Sequence, residues 1–213
     1  MNEGLSHALV KDDEERYPMF LQNVLVRLEN ELDPALYYHN ILHTRDVIKE
    51  ATRLAREDKC SVRDQHLVLI AAAFHDVGFL TTRKGHEEEG ALYVIQCLEA
   101  EGCFSAEEIL LVAQMIRDTC LVPRGQTMIQ VCRSPLSAYI LDADLANFGR
   151  SDFREKTELV RRELSLPVTK AFYEGVTRLV AAHQWQSRPA REQWAKEQEN
   201  NLAALHAELA IWK

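Results

Sequence analysis

Apolar residues recur along most of this chain every three or four positions, the spacing of one buried helix face. No long stretch alternates apolar and polar residues, as a half-buried strand would. The first stripe predicts a helix that ends near Pro34, and the second predicts an amphipathic helix from Asn40 to about Glu57. The members of the two stripes are Tyr17, Phe20, Leu21, Val24, Leu25 and Leu28, then Val47, Ile48, Ala51, Leu54 and Ala55.

Local signals indicate where the later helices begin and end. Ser61 with Asp64 and Ser105 with Glu108 are typical N-terminal caps, and both precede apolar stripes. Gly78 offers a stop to the helix that Ser61 begins. Proline near the first helical position indicates three further helix starts, at Pro135, Pro167 and Pro189. The helix that Pro167 opens is expected to reach about residue 185.

The composition favours one all-α domain. A chain of 213 residues that is 46% hydrophobic can bury one substantial core, and eight glycines and six prolines are few for this length. We therefore expect a single-domain helical bundle over residues 16–213, preceded by a flexible polar segment at 1–15. The three tryptophans, Trp185, Trp194 and Trp212, could belong to this core or to a homodimer surface. We favour the core.

Charge restricts the partners that we expect. A net charge of -8 and a pI near 5.5 argue against binding of a nucleic-acid polymer, which needs clustered Lys and Arg. Small phosphorylated substrates are compatible with this charge, because a bound divalent metal reverses the sign of the electrostatic potential around it.

Cysteine usage and hydropathy indicate the compartment. The five cysteines are odd in number and form no CxxC pair, which is typical of a reducing environment. The chain shows no signal segment, and its longest uncharged apolar run, Leu67 to Phe74, is too short to cross a bilayer. We expect a cytoplasmic protein without a membrane partner.

The most informative polar residues are histidines and aspartates within apolar helices. His39 and His43 are four residues apart at a helix start, so their side chains share one face if the helix includes both. Such pairs recur in metal sites, although each histidine can also be a half-buried residue satisfied by backbone groups.

His75 and Asp76 directly follow a nearly uninterrupted apolar stretch. A carboxylate there can serve as a helix-terminal acceptor, but negative charge at a helix C-terminus opposes the macrodipole. A cation would remove this cost. Asp142 and Asp144 interrupt a later apolar helix, and the same cation would explain why both carboxylates occur there.

Together these positions offer imidazole and carboxylate ligands and no thiolate. This set suits one or two divalent ions chosen from Mn, Fe, Mg, Co, Ni and Zn.

The pattern Tyr38-His39-Asn40 to His43, then His75-Asp76, then Asp144 resembles the H…HD…D signature of the HD-domain metal phosphohydrolases, over residues of about 20–150. The resemblance implies an HD/PDEase-like helical fold and four metal ligands: His43, His75, Asp76 and Asp144.

The resemblance also implies roles for residues near these ligands. The opening motif is similar to that of class I cyclic-nucleotide phosphodiesterases, in which the first histidine donates a proton, the role expected for His39. His86 and Glu87 match the place of a further His-Glu at a helix start and are candidates for catalysis or a second metal, although Glu87 also suits a simple first-turn charge. Asp142 and Asp46 are expected to support the ligands from behind.

The expected activity is hydrolysis of a phosphate ester in a small molecule, with a nucleotide favoured as substrate and Asp76 and His86 placed beside His39 in the reaction. Two other classes of function stay open. One is a regulatory, catalytically silent domain that senses a nucleotide, and the other is a di-iron oxygenase with the same ligands. The basic C-terminal residues Arg161, Arg162, Arg188 and Arg191 are candidates for phosphate contact or for ordinary surface ion pairs.

Overall fold

Helices occupy most of residues 17–212, the part of the chain that the computed structural model describes. The segment predicted to be flexible, 1–15, lies outside the described residues. The helices are α1 Met19–Glu31, α2 Ile41–Glu57, α3 Val62–Phe74, α4 His86–Glu101, α5 Ala106–Asp118, α6 Ser137–Asp144, α7 Phe153–Glu163, α8 Lys170–Ala182 and α9 Arg188–Ile211. Short 3-10 helices at Val77–Leu80 and Ala146–Gly149 follow α3 and α6.

The predicted caps are confirmed. The side chain of Ser61 accepts a hydrogen bond from the Asp64 backbone N–H at the start of α3. Ser105 and Glu108 form the reciprocal capping box at the start of α5. Asn40 caps α2, as its place at the predicted boundary suggested. Each cap satisfies backbone N–H groups that the first helical turn leaves without a partner.

Helix α3 is the centre of the fold. Every residue from Ile70 to Phe74 is buried, and helices α1, α2, α4, α5 and α6 all contact α3. This explains why its sequence reads as a continuous apolar run rather than as a one-sided stripe. The polar residues that follow Phe74 therefore start inside the protein.

The C-terminal helices pack on the same core. Helix α9 contacts α2, α8 and the 3-10 helix Ala146–Gly149. Trp185 and Trp194 are buried, as favoured from the sequence, and their rings are in contact with 5.0 Å between centroids. A Cβ atom on Gly149 would lie 2.3 Å from the Cβ of Trp194, so this close approach requires glycine.

Three local predictions differ from the structure. Helix α8 begins at Lys170 and not at Pro167, because the side chain of Thr169 caps it. Helix α6 begins at Ser137, since Ser134 and Pro135 form a preceding turn. An unpredicted hairpin joins β1 Val122–Arg124 to β2 Thr127–Ile129, antiparallel with Val122 opposite Ile129.

The hairpin was missed because each strand has three residues, which is too short for alternation to be visible. Its two-residue loop starts with Gly125 at a φ of +62°, a conformation that favours glycine. Within residues 17–212, no helix is both long and apolar enough to span a bilayer.

Candidate metal centre

Three helices deliver the four metal ligands predicted from the sequence. His43 lies in the first turn of α2, where the side chain of Asn40 accepts a hydrogen bond from its backbone N–H and fixes the start of the helix. His75 and Asp76 directly follow the last residue of α3, and Asp144 is the last residue of α6. The three helix ends meet at one point in the protein.

The ligand atoms form one tight cluster. His43 Nε2 lies 3.3 Å from His75 Nε2 and 3.2 Å from Asp144 Oδ1. Asp76 Oδ2 lies 3.1 Å from His75 Nε2 and 3.6 Å from His43 Nε2. Donor atoms bound at about 2.1 Å to one ion are separated by roughly 3 to 4 Å, so this spacing suits a shared ion.

The chemistry of the cluster fits a divalent metal. His75 and Asp76 are only 1% and 3% exposed. Asp76 Oδ2 is buried and makes no hydrogen bond to any residue among 17–212, an arrangement that is costly without a further partner. Two imidazole nitrogens that face each other also need a proton or a cation between them. The donor atoms of His43, His75 and Asp144, which lie within 4.8 Å of one another, could hold one ion next to Asp76. A set of imidazole nitrogens and carboxylate oxygens suits a borderline or hard divalent metal.

Residues behind the ligands orient them. His75 Nδ1–H donates to the Ala72 carbonyl at 2.8 Å, which leaves Nε2 free to bind a metal. Gln130 Nε2 donates to Asp144 Oδ2 at 2.8 Å and to the Thr119 carbonyl at 3.1 Å. Gln130 was not identified from the sequence, because a single glutamine after an unpredicted hairpin matches no motif.

In this cluster, neighbouring opposite charges shift the pKa values more than burial does. Burial lowers the pKa of His75, but the carboxylate of Asp76 overcomes this and raises the pKa to about 9. Burial raises the pKa of Asp76, but the charge of His75 brings it well below the usual range. Burial also raises the pKa of Asp144, whereas its hydrogen bond with His43 gives a net lowering. Both carboxyl groups are therefore ionised at neutral pH, the form that binds a cation.

Comparison with known proteins addresses the fold. No protein-family model matches the chain, and no curated protein does. The crystal structure of a "predicted HD superfamily hydrolase" from an uncultured Thermotogales bacterium matches with a TM-score of 0.58 and 22% sequence identity. The match covers 95% of this chain and 98% of that one. This chain has the HD-type fold. The predicted all-α architecture is confirmed, apart from the short hairpin.

His39 lies beside the candidate metal ligands and is held by a glutamate from α7. Glu163 Oε1 lies 2.5 Å from His39 Nδ1, and Oε2 accepts the backbone N–H groups of Tyr38 at 2.8 Å and His39 at 3.0 Å. Burial lowers the pKa of His39, but the hydrogen bond to Glu163 gives a net rise. The ring is thus oriented with Nε2 as its free nitrogen.

Glu163 is 8% exposed, yet sequence reasoning did not select it. It follows Arg161 and Arg162 at the end of a charged helix, a pattern typical of a solvated face. Its partner His39 is 124 residues away, so no local signal identifies the pair.

His86 and Glu87 lie on the other side of Asp76. His86 Nε2 is 3.5 Å from Asp76 Oδ1, the oxygen opposite the one that faces His75. Glu87 Oε2 is 3.6 Å from His86 Nδ1. The ring of Phe79 stacks on His86 at 3.8 Å and on His39 at 4.9 Å, which fixes both imidazoles. Asp76 therefore has an imidazole group near each of its two oxygens.

The structure corrects two of the residues expected to support the ligands. Both oxygens of Asp142 accept backbone N–H groups, from Gln186 and Ser187, at 2.7 Å. These bonds direct its carboxylate toward the start of α9 and not toward the ligands. Asp46 pairs with Arg150 at 2.5 Å instead of supporting His43.

The basic C-terminal residues are engaged elsewhere. Arg161 pairs with Glu158, and the guanidinium of Arg162 lies over the ring of Tyr37. Arg188 pairs with Glu192 and Asp58, while Arg191 donates to backbone carbonyls of residues 185 and 186. These contacts match the alternative of ordinary structural pairing.

A cavity of about 730 Å³ adjoins the ligands. Five polar residues of the candidate metal centre line one part of its wall: His39, Asp76, His86, Glu87 and Asp144. The remaining wall comes from the hairpin, the chain after α6, and helices α7 and α8. A small molecule in this cavity would contact the ligands and His39 together.

Proposed function

We propose that this protein is a divalent-metal-dependent hydrolase that cleaves a phosphate ester in a small molecule. One observation carries the proposal: ligand atoms of His43, His75 and Asp144 all lie within 4.8 Å of one another, and Asp76 Oδ2 lies beside the two imidazoles. This cluster adjoins a cavity that His39 also lines. The structural neighbour bears the name of a hydrolase, which supports the same class of reaction.

His43, His75, Asp76 and Asp144 would hold the metal ion. A bound divalent ion supplies a Lewis acid for a phosphoryl oxygen and lowers the pKa of a water ligand. The protein's own contribution is to fix the four donor atoms in advance, through Asn40 for His43 and through the carbonyl of Ala72 for His75. Such preorganisation means that little rearrangement accompanies the reaction.

His39 is the proposed proton donor to the departing alcohol. Glu163 accepts the Nδ1 proton, which leaves Nε2 to carry a second proton toward a group bound in the cavity. Burial lowers the pKa of His39, but the hydrogen bond to Glu163 gives a net rise, which favours the protonated ring that a proton donor needs. Glu163 acts through His39 and is a positioning residue.

A second metal position is part of the proposal. Asp76 presents one oxygen to His43 and His75 and the other to His86, so Asp76 and His86 would help to hold a second ion. The same geometry favours the di-iron oxygenase as the second candidate function. Iron content and oxygen uptake of the purified protein distinguish the two.

The test is a screen of phosphomonoesters and phosphodiesters, nucleotides included, with Mn, Fe, Mg, Co, Ni and Zn. We expect metal-dependent hydrolysis by the wild-type protein. His39→Ala should slow turnover by roughly 10²- to 10⁴-fold and retain the metal, whereas His75→Ala should lose metal and activity together. Binding of nucleotide without turnover under any metal would instead support the regulatory alternative. Loss of metal from His39→Ala would contradict the role given to His39.

A further inference from the structure

The cavity beside the ligands has a mainly apolar wall away from the metal centre. Helix α8 presents one face to the cavity, and the hairpin and the chain after α6 form the opposite parts of the wall. The apolar side chains that define this part include Leu121, Met128, Leu145, Phe148, Val176 and Leu179. A volume of about 730 Å³ suits an organic group of drug size.

The wall contains no lysine or arginine among the residues that the structure describes. Arg178 comes near the hairpin, but its Nε donates to the Gln126 carbonyl and its side chain does not line the cavity. A nucleoside di- or triphosphate carries several negative charges, which proteins usually pair with Arg or Lys as well as metal. The carboxylate of Glu87, which lines the cavity outside the ligand set, would repel such a chain.

Most polar side chains of the wall are already bonded within the protein. The Thr119 hydroxyl donates to the Ile116 carbonyl, and the Thr157 hydroxyl donates to the Phe153 carbonyl, both at 2.8 Å. The Tyr38 hydroxyl donates at 3.4 Å to groups of residues 144 and 147. These three hydroxyl groups have already given their protons to the protein, so polar groups of a nucleobase buried against them would lack donors.

We propose that the substrate is a phosphate ester with a large apolar organic group, taken from solution as a single molecule. The phosphate lies at the metal ligands, and the apolar group fills the cavity between α8 and the hairpin. This inference rests on the proposed function and narrows its substrate class. It predicts that binding is driven by burial of hydrocarbon and not by charge.

Helix α8 offers a site at which the size of the cavity can be changed. Ala171, Gly175 and Leu179 recur at four-residue spacing on the face that lines the cavity. A Cβ atom on Gly175 would meet only Arg178 Nη2, at 3.9 Å, so there is room for a side chain. Gly175→Leu should fill part of the cavity, and Gly175→Ala is the matched control.

The experiment measures binding of n-alkylphosphonates, which cannot be hydrolysed, to the metal-loaded full-length protein by calorimetry. Chains from ethyl to dodecyl are compared below their micelle concentrations, with a nucleoside 5′-phosphonate as the competing class. Burial of each methylene contributes about 0.8 kcal/mol, so we expect affinity to rise by roughly three- to fourfold per methylene until the cavity is full.

The variants test whether this gain comes from the cavity. Gly175→Leu should reduce the ratio of dodecyl to ethyl affinity by at least tenfold, whereas Gly175→Ala should keep that ratio within about threefold of the wild-type value. Unchanged circular dichroism and thermal midpoints verify that both variants fold. An unaltered ratio in Gly175→Leu would place the alkyl chain elsewhere and overturn the inference.

The same measurements separate this inference from the proposed function. Affinity that does not depend on chain length, or tighter binding of the nucleoside phosphonate, overturns the apolar substrate even if phosphate esters are hydrolysed. A different result would be tight binding of long-chain phosphonates with no hydrolysis of any ester under any metal. That result would overturn the proposed function but support an apolar ligand for the cavity.

Discussion

Asp142 and Asp144 lie two residues apart on the same short helix, yet they have different environments. Both oxygens of Asp142 are satisfied by backbone N–H groups at the start of α9. Asp144 instead faces His43, and its neighbour in the cluster, Asp76, has an oxygen without a hydrogen bond in the described chain. Backbone groups hold the first carboxylate, whereas side chains of His43 and Gln130 hold the second within the candidate metal centre.

The pKa shifts follow the same division. Burial raises the pKa of Asp142 to about 6, because the backbone N–H groups offset only part of the cost of ionisation. The pKa of Asp144 shows a net lowering, since His43 outweighs burial. Burial of an acid is thus a weak sign of function, and the identity of its partners is a stronger one.

Removal of Asp144 should give the largest effect. Asp144→Ala takes one donor from the cluster, and we expect kcat/KM for the best ester to fall about 10³-fold or more, because the metal contributes several kcal/mol to the transition state. Metal content of the purified variant, measured by elemental analysis, should fall in parallel. Full metal occupancy with normal turnover would contradict the proposed ligand set.

Asp142→Ala is the matched control on the same helix. It leaves two backbone N–H groups without their acceptor, so we expect it to lower the free energy of unfolding by about 2 to 3 kcal/mol. Metal content should stay at the wild-type level. If this variant lost metal and kept its stability, the contrast between the two aspartates would be wrong.

Replacement of Glu163 tests the support behind His39. Glu163→Gln keeps the size of the side chain but removes the charge that raises the pKa of His39. We expect kcat to fall about 100-fold, and the alkaline limb of the pH–rate profile to move to lower pH, because His39 loses its proton earlier. Metal content should not change. A uniform loss of rate with an unshifted pH profile would indicate a purely structural role.

His183 should give the smallest effect, on stability at acid pH. Burial lowers its pKa to about 4 in the folded protein, against about 6.5 when unfolded, so only the unfolded chain takes up the proton between these values. The contribution of neutral His183 to the free energy of unfolding is therefore fully present above pH 6.5. It is lost as the pH falls toward 4. Relative to His183→Phe, the wild-type protein should lose about 2 kcal/mol between pH 7 and pH 5.

Denaturant titrations of both proteins at several pH values measure this difference. Other acidic groups contribute equally to the two proteins, so the comparison isolates His183. Parallel pH dependence in wild type and variant would mean that His183 titrates normally.

The candidate ligands could be predicted because each has a local cause. Asn40 caps α2 and so sets the turn that carries His43, and His75 and Asp76 end the most buried helix. Gln130 and Glu163 could not be predicted, because each is an ordinary polar residue until its partner is known. The hairpin was missed because three-residue strands carry no periodic signal.

The sequence by itself determined the helices, their caps, and the set of histidines and aspartates able to bind a metal, since periodic burial and capping act over a few residues. Only the tertiary structure decided that Asp142 is held by the start of α9, that Glu163 holds His39, and that the cavity wall is mainly apolar. Those facts depend on contacts between residues up to 125 positions apart, which packing alone brings together.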